Sequence, residues 1–351
     1  MDGLEQGKQM QLLFVRPEIY VPSGLPASPI LTSYHKSKNF EKYESSLYTS
    51  PISTILCLDS KQSIYCQFLC GLLQRDEVVC IGAVFASVLF RAIRFLEDYW
   101  RELCSNIRTG HLSDWITDTG CKNALSSMLT KPNPEQADLI EDACNSKSWE
   151  GIIRKLWPKS KYIDVIATGS MAQYLPSLEF YCGGIPIVLM PYASSESFLG
   201  INLKPLSKPS AVSYTLVPNV SYFEFFPVMD HEQVTKEAHS NTSNESLTQK
   251  QIKEEEIEPV ELVNVKLGQC YELVVTTVTG KLFFLFIFKL RVWVFYSLSH
   301  KRNRLKDSTN FVMPYTYLTC LLYSFILQFS YFKIQLQKIT LLRILNLFFL
   351  Q

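Results

Sequence analysis

Apolar residues recur along this chain at two periods, and the changes of period mark its elements. Between residues 85 and 107, Val88, Leu89, Ala92, Ile93, Leu96, Tyr99, Trp100, Leu103 and Ile107 keep one face apolar at helical spacing. Arg91, Arg94, Glu97, Asp98 and Arg101 fill the rest with charges that can pair locally, which predicts a long helix with a solvated side. Asp59-Ser60 leads into residues 64–73, apolar nearly all round, which predicts a helix packed on both sides. Asn133 as N-cap, Pro134 at the first position and Gln136 at the third predict another helix start. Ser148 introduces a further helix over 149–157 that Pro158 stops.

Between these lie short β-branched runs. Residues 162–168 read as a strand ending at Gly169, and 185–189 as a buried strand closed by Pro191. Near the start, 12–15 and 30–34 read as two strands around a Pro/Gly/Ser connection, with no pairing partner before them. Residues 214–217 and 222–228 alternate as strands. Residues 262–265 and 270–277 read as a hairpin turning at 266–269. Residues 229–259 are polar, with Glu254-Glu255-Glu256 at the acidic end, which predicts a mobile surface loop. The whole is an α/β pattern: parallel or mixed sheets flanked by helices, followed by a hairpin-rich region.

The 351 residues suggest about two domains. Hydrophobic residues make up 47% and charged residues 19%, enough for a real core. A net charge of +1 argues against nucleic acid as a partner, which normally needs a basic patch. The ten cysteines show no metal pairing: Cys66 and Cys70 are the closest, and no C-x-x-C occurs. The first residues contain no apolar run of the secretory kind, so a reducing cytoplasm is expected. The five histidines form no constellation.

Candidate chemistry gathers at two turns. The strand over 162–168 passes through Gly169 into Ser170-Met171-Ala172-Gln173, a strand-to-helix edge of the kind that borders nucleotides in parallel sheets. One α/β unit later, Met190-Pro191-Tyr192-Ala193-Ser194-Ser195-Glu196 leaves the next strand. Its serines offer hydroxyls and backbone N–H groups to an anion, Glu196 offers a hard oxygen ligand to Mg²⁺, and Tyr192 offers a face to a purine.

With its flanks, Ser197-Phe198-Leu199-Gly200-Ile201-Asn202-Leu203, Lys208-Pro209-Ser210 and Ser213-Tyr214-Thr215-Leu216, this motif resembles the plant acyl-acid–amido synthetases. These are the auxin- and jasmonate-conjugating members of the adenylate-forming, luciferase-like superfamily. The resemblance runs from about Gln9 to Gly280. It implies part of the large N-terminal domain of such an enzyme and an ATP-dependent ligation. A carboxylate attacks the α-phosphate, pyrophosphate leaves, and an amino acid's amine then displaces AMP to give an amide. The implied partners are a small carboxylic-acid hormone and an amino acid, with ATP and Mg²⁺. Nothing in the pattern sets an oligomeric state.

The resemblance also implies roles. Glu196 holds Mg²⁺, Ser194 and Ser195 donate to phosphate, and Tyr192 packs on adenine. Thr168, Gly169, Ser170 and Met171 border adenine and the acyl group, joined at the acyl end by Ala193 and Phe198. Phe68 and Leu69 line the acid pocket in the family, although the residues alone read as core. Ala193 resembles the auxin branch, since glycine is usual in the jasmonate branch.

Three parts of the family pattern are not found. These are an upstream phosphate loop, the Tyr-Arg-x-Arg-x-Gly-Asp motif expected after Gly280, and the C-terminal domain, so negligible turnover is expected. From Lys281 to Gln351 the composition swings to Phe, Leu, Ile, Tyr, Lys and Asn, as a translated intron would. Sequencing the transcript across the codon for Gly280 tests that. Two other readings stand beside the ligase: a non-catalytic fragment that binds an acid or a homologue, and a membrane anchor. The anchor would use the uncharged stretch 308–332, preceded by Lys301, Arg302 and Arg304, but Pro314 and Gln328 weigh against it.

Overall fold

The computed structural model describes residues 7–20, 22–24, 26–193, 198–228, 258–277 and 283–291. They divide into two compact units. The first comprises the described residues up to Met190 together with Asn202–Ser213. The second comprises Pro191–Ile201 and the described residues from Tyr214 onward. The boundary between Met190 and Pro191 falls inside the stretch from Gln9 to Gly280 that carries the resemblance.

The first unit opens with β1 (Lys8–Leu12), whose partner lies downstream: it pairs in parallel with β4, Met10 opposite Ile81. A small ribbon, β2 (Ile19–Tyr20) and β3 (Pro26–Ala27), follows. Residues 30–34, expected as a strand, instead begin the helix α1 (Ile30–His35). Pro29 stands at the N-cap and Thr32 and His35 point inward, so packing overrides the β-branched bias. After α2 (Ile52–Ile55), Asp59 caps α3 (Ser60–Leu73), its Oδ1 accepting from the Lys61 and Gln62 amides. Helix α3 is buried along most of its length, as its all-round apolar pattern predicts.

A side-chain amide docks α3 onto the end of β1. Gln67 accepts from the Leu13 amide at 3.0 Å and donates to the Leu13 carbonyl at 2.7 Å, satisfying two buried backbone groups. The chain then runs through β4 (Val78–Phe85) into the long helix α4 (Ala86–Thr109) without a connecting loop. Its buried face carries Leu89, Ile93, Leu96, Trp100 and Leu103 as the periodicity predicts, and Arg91, Arg94, Asp98 and Arg101 are exposed.

Helix α5 (Thr119–Met128) precedes α6 (Pro134–Cys144), where Asn133 caps the Gln136 amide at 3.1 Å and its Nδ2 donates to Gln136 Oε1. The helix expected over 149–157 is shorter. Gly151 adopts φ +67°, so α7 (Ile152–Leu156) starts only after it, and the Ser148 hydroxyl accepts from the Glu150 amide in the preceding turn.

Strand β5 (Tyr162–Ile166), a 3₁₀ turn over Gly169–Tyr174, α8 (Leu175–Cys182) and β6 (Ile187–Val188) complete the unit. The sheet order is β1-β4-β5-β6, all parallel. Strand β4 is buried at six successive positions, as expected for a parallel sheet covered on both faces.

The second unit is antiparallel. Strands β7 (Pro191–Ala193), β8 (Phe198–Ile201) and β9 (Thr215–Leu216) form one sheet. Strands β10 (Ser221–Pro227), β11 (Val260–Glu261), β12 (Cys270–Thr277) and β13 (Phe283–Arg291) form another, in the order β11-β10-β12-β13. The hairpin expected over 261–277 is therefore corrected: β10 lies between β11 and β12, and Leu262–Asn264 is a 3₁₀ turn. Phe223 and Phe225 alternate inward and Tyr222 outward, and the core adds Leu199, Tyr271, Leu273 and Val275. Strand β13 pairs along β12, so ladder pairing continues past Gly280. Among the described residues no helix is long and apolar enough to cross a membrane. The stretch 308–332 and the polar segment 229–257 lie outside them.

Candidate functional site

Because the strands of the first unit's four-stranded sheet are all parallel, the ends of β1, β4, β5 and β6 share one edge of it. Phe85 pairs with Ile166, so the start of α4 and the turn after β5 lie side by side there. Ligands of open parallel sheets sit at such carboxyl edges. Thr168 is half-buried, Gly169 and Ser170 are exposed, and Met171 is half-buried with its side chain against the core. The Met171 amide donates to the Thr168 carbonyl at 3.1 Å, closing a tight turn. Gly169 makes that turn at φ +57°, and a Cβ there would meet nothing within 4 Å. The backbone there thus faces open space.

The helical pattern of the sequence starts at Phe85, but in the structure that residue still belongs to β4. It is 44% exposed at the last position of β4. The available signal was a large apolar residue where a strand runs straight into a helix. Behind this edge, Phe90 packs on Tyr174 with ring centroids 5.6 Å apart, and the Tyr181 hydroxyl donates to Glu97 at 3.2 Å. Glu97 also pairs with Arg94. These contacts hold the 3₁₀ turn and α8 against α4.

The second unit carries the other candidate residues. In sequence, residues 190–196 read as the turn by which the chain leaves the strand 185–189. Instead the chain leaves the parallel sheet after Val188 and enters an antiparallel one at Pro191, a residue without an N–H at a strand's first position. Tyr192 lies opposite Gly200 and Ala193 opposite Phe198. The Tyr192 ring stacks on Tyr214 at 5.2 Å and an interplanar angle of 23°. Burial, with Tyr214 as the lesser cause, pushes its phenol up to about 12, so it is neutral near pH 7. Phe198 is buried. Ser194, Ser195 and Glu196 lie outside the described residues, the proposed Mg²⁺ ligand among them.

Phe68 and Leu69 are 2% and 0% exposed in the main core of the first unit. Phe68 stacks on Trp157, whose indole N–H donates to the Gly71 carbonyl at 2.9 Å. That is the packing their sequence pattern alone predicted. A cavity of about 220 Å³, bordered by Glu179, Gly184, Pro186, Leu206 and Lys208, opens at the amino end of β6. That is the opposite edge from Thr168, and none of the candidate residues borders it. Among the described residues, the Sγ atoms of Cys57 and Cys121 and a carboxylate oxygen of Asp118 lie within 4.8 Å of one another.

Comparison with known proteins agrees with this architecture. The GH3 family N-terminal domain matches residues 1–187 and the GH3 family central domain matches residues 214–284. An indole-3-acetic acid-amido synthetase of Arabidopsis thaliana, GH3.17, is 57% identical over 287 residues, 80% of this chain and 46% of its own. The 4-substituted benzoates-glutamate ligase GH3.12 of the same plant is 48% identical over 281 residues, 79% of this chain and 45% of its own. The solved structure of GH3.15 acyl acid amido synthetase superposes with a TM-score of 0.69 at 45% identity, covering 84% of this chain and 48% of that one. The chain thus spans about half the length of the curated relatives it matches.

Proposed function

The chain belongs to the GH3 family, and from that membership we propose that it derives from an ATP-dependent ligase joining a small carboxylic acid to an amino acid. The observation that carries the reading is the open Gly169 turn at the carboxyl edge of a parallel sheet, beside the end of β4. Thr168, Gly169, Ser170 and Met171 would lie along adenine and the activated acyl group, with Phe85 as an apolar wall. Tyr192, Ala193 and Phe198 keep the adenine and acyl roles that the family resemblance implies, Phe198 from a buried position within the second unit. ATP and a carboxylate are both anions, so their approach needs aligned donors. Ser194 and Ser195 would supply these, and Glu196 would hold Mg²⁺, whose chemistry is charge neutralisation as pyrophosphate leaves.

Relatives named for indole-3-acetate and for 4-substituted benzoates both match closely, so the acid varies within the family. Ala193 supports an auxin-like acid over jasmonate. The nine described cysteines all carry free thiols, which supports a cytoplasmic setting. We further propose that turnover by this chain is negligible. Lys281-Leu282-Phe283 stands where the family's Tyr-Arg-x-Arg-x-Gly-Asp motif follows, and β13 runs through that position. The chain would then act as a binder of acid and nucleotide.

Two assays separate these statements. Mg-ATP with indole-3-acetate should raise the melting temperature, since a ligand that binds only the folded state stabilises it. Pyrophosphate release with indole-3-acetate and aspartate should stay at background. No thermal shift would remove the binding reading, and ATP-dependent amide formation would remove the inactivity.

A further inference from the structure

The fold brings Cys57 up to Asp118 and Cys121, a pair some sixty residues further along the chain and three residues apart from each other. Cys57 follows the end of α2, Asp118 is the N-cap of α5, and Cys121 lies in the first turn of α5. One ligand atom from each, two Sγ and a carboxylate oxygen, all lie within 4.8 Å of one another. The two thiols are 5% and 0% exposed, and Asp118 is half-buried. Zn–S bonds of about 2.3 Å in a tetrahedral site place two sulfurs about 3.8 Å apart. The triad therefore stands within about 1 Å of the spacing a bound ion imposes, a distance side-chain rotation can cover.

The surroundings fix this corner. Gln62 Oε1 accepts from the Thr117 and Asp118 amides at 2.7 and 2.8 Å, while its Nε2 donates to Asp59 Oδ2 at 2.9 Å and Thr117 Oγ1 at 3.2 Å. Asp118 Oδ1 accepts from the Cys121 amide at 2.8 Å, which holds the carboxylate at the start of α5. The Cys57 thiol donates to the Asp59 carbonyl at 3.5 Å. A divalent ion binds here by displacing both thiol protons and forming two metal–sulfur bonds.

We propose that Cys57, Cys121 and Asp118 bind one borderline-soft divalent cation of the Zn²⁺ type, with water as fourth ligand, fastening the end of α2 to the start of α5. Two thiolates with one carboxylate favour such an ion over Mg²⁺ or Ca²⁺, which prefer all-oxygen shells.

The test uses the full reduced chain with Cd²⁺ and Zn²⁺ as probes. Cd²⁺ should bind one per chain, give a sulfur-to-metal charge-transfer band and release two protons. Cys57→Ser and Cys121→Ser should each weaken binding at least about tenfold. Asp118→Asn keeps the helix cap, because Asn caps as well as Asp, yet should weaken binding by about tenfold. X-ray absorption of the Zn²⁺-loaded wild type should find two sulfurs and two lighter atoms. Unchanged affinity in the variants, or a shell with no sulfur or with four, would overturn the site. If a serine variant fails to fold, Asp118→Asn and the wild-type shell decide it.

Discussion

Replacing Leu69 by alanine separates a core role from a substrate role, because the two predict opposite phenotypes. Leu69 is 0% exposed within the cluster that includes Met10, Phe68, Leu72 and Trp157. Truncation removes three buried carbons, worth about 2.4 kcal/mol at about 0.8 kcal/mol each. The cavity left between α3 and the sheet raises the cost to about 3–4 kcal/mol, inside the usual range of about 2–5. With a slope of about 3 kcal/mol per M urea, the midpoint of the first unit should fall by about 1 M. Urea titration followed by tryptophan fluorescence reads this directly, since Trp157 stacks on the neighbouring Phe68. Affinity for indole-3-acetate should stay within about twofold while the variant is folded. A stability loss below about 1 kcal/mol combined with a tenfold loss of acid affinity would refute the core assignment and return Leu69 to the pocket.

Gly151→Ala should destabilise by about 1–2 kcal/mol, because φ +67° is a left-handed conformation that alanine adopts poorly; thermal melts check it, and an unchanged melting temperature would contradict the backbone argument. Asn133→Ala should cost about 1 kcal/mol through loss of the α6 cap, read by denaturant midpoint, with Asn133→Asp recovering most of it. Burial holds the His35 imidazole down at about 4, the Phe14 backbone offsetting part of the effect. The folded value lies below the unfolded one, so this contribution is complete above about pH 6.5 and is lost as pH falls through about 4. Its full size is about 3 kcal/mol, and His35→Leu should flatten the stability–pH slope between those limits. A slope identical to wild type would show that His35 does not titrate in this way.

Where one face or one cap decides an element, the sequence was legible. The α4 stripe, the Asn133–Gln136 box and the strand before Gly169 stand where periodicity and capping put them. Long-range competition decides the misread elements. Residues 30–34 carry strand-like residues, but their inward side chains pack as a helix against Leu13 and Phe40. The hairpin over 261–277 failed because each strand found β10 before it found the other, a pairing no local turn signal encodes. At the candidate edge, glycine after a parallel strand was visible in sequence, whereas Phe85 and the Cys57–Asp118–Cys121 corner were not. Both depend on side chains that meet only once strands and helices far apart in the chain have packed.

Hydrogen–deuterium exchange of the full chain, with and without Mg-ATP plus indole-3-acetate, tests the proposed site most directly. Protection should rise in peptides covering residues 167–174 and 190–199 and leave those around Phe68 and Leu69 unchanged. Protection confined to other segments, or no change at saturating ligand, would contradict the ligand-binding roles proposed for each of these two stretches.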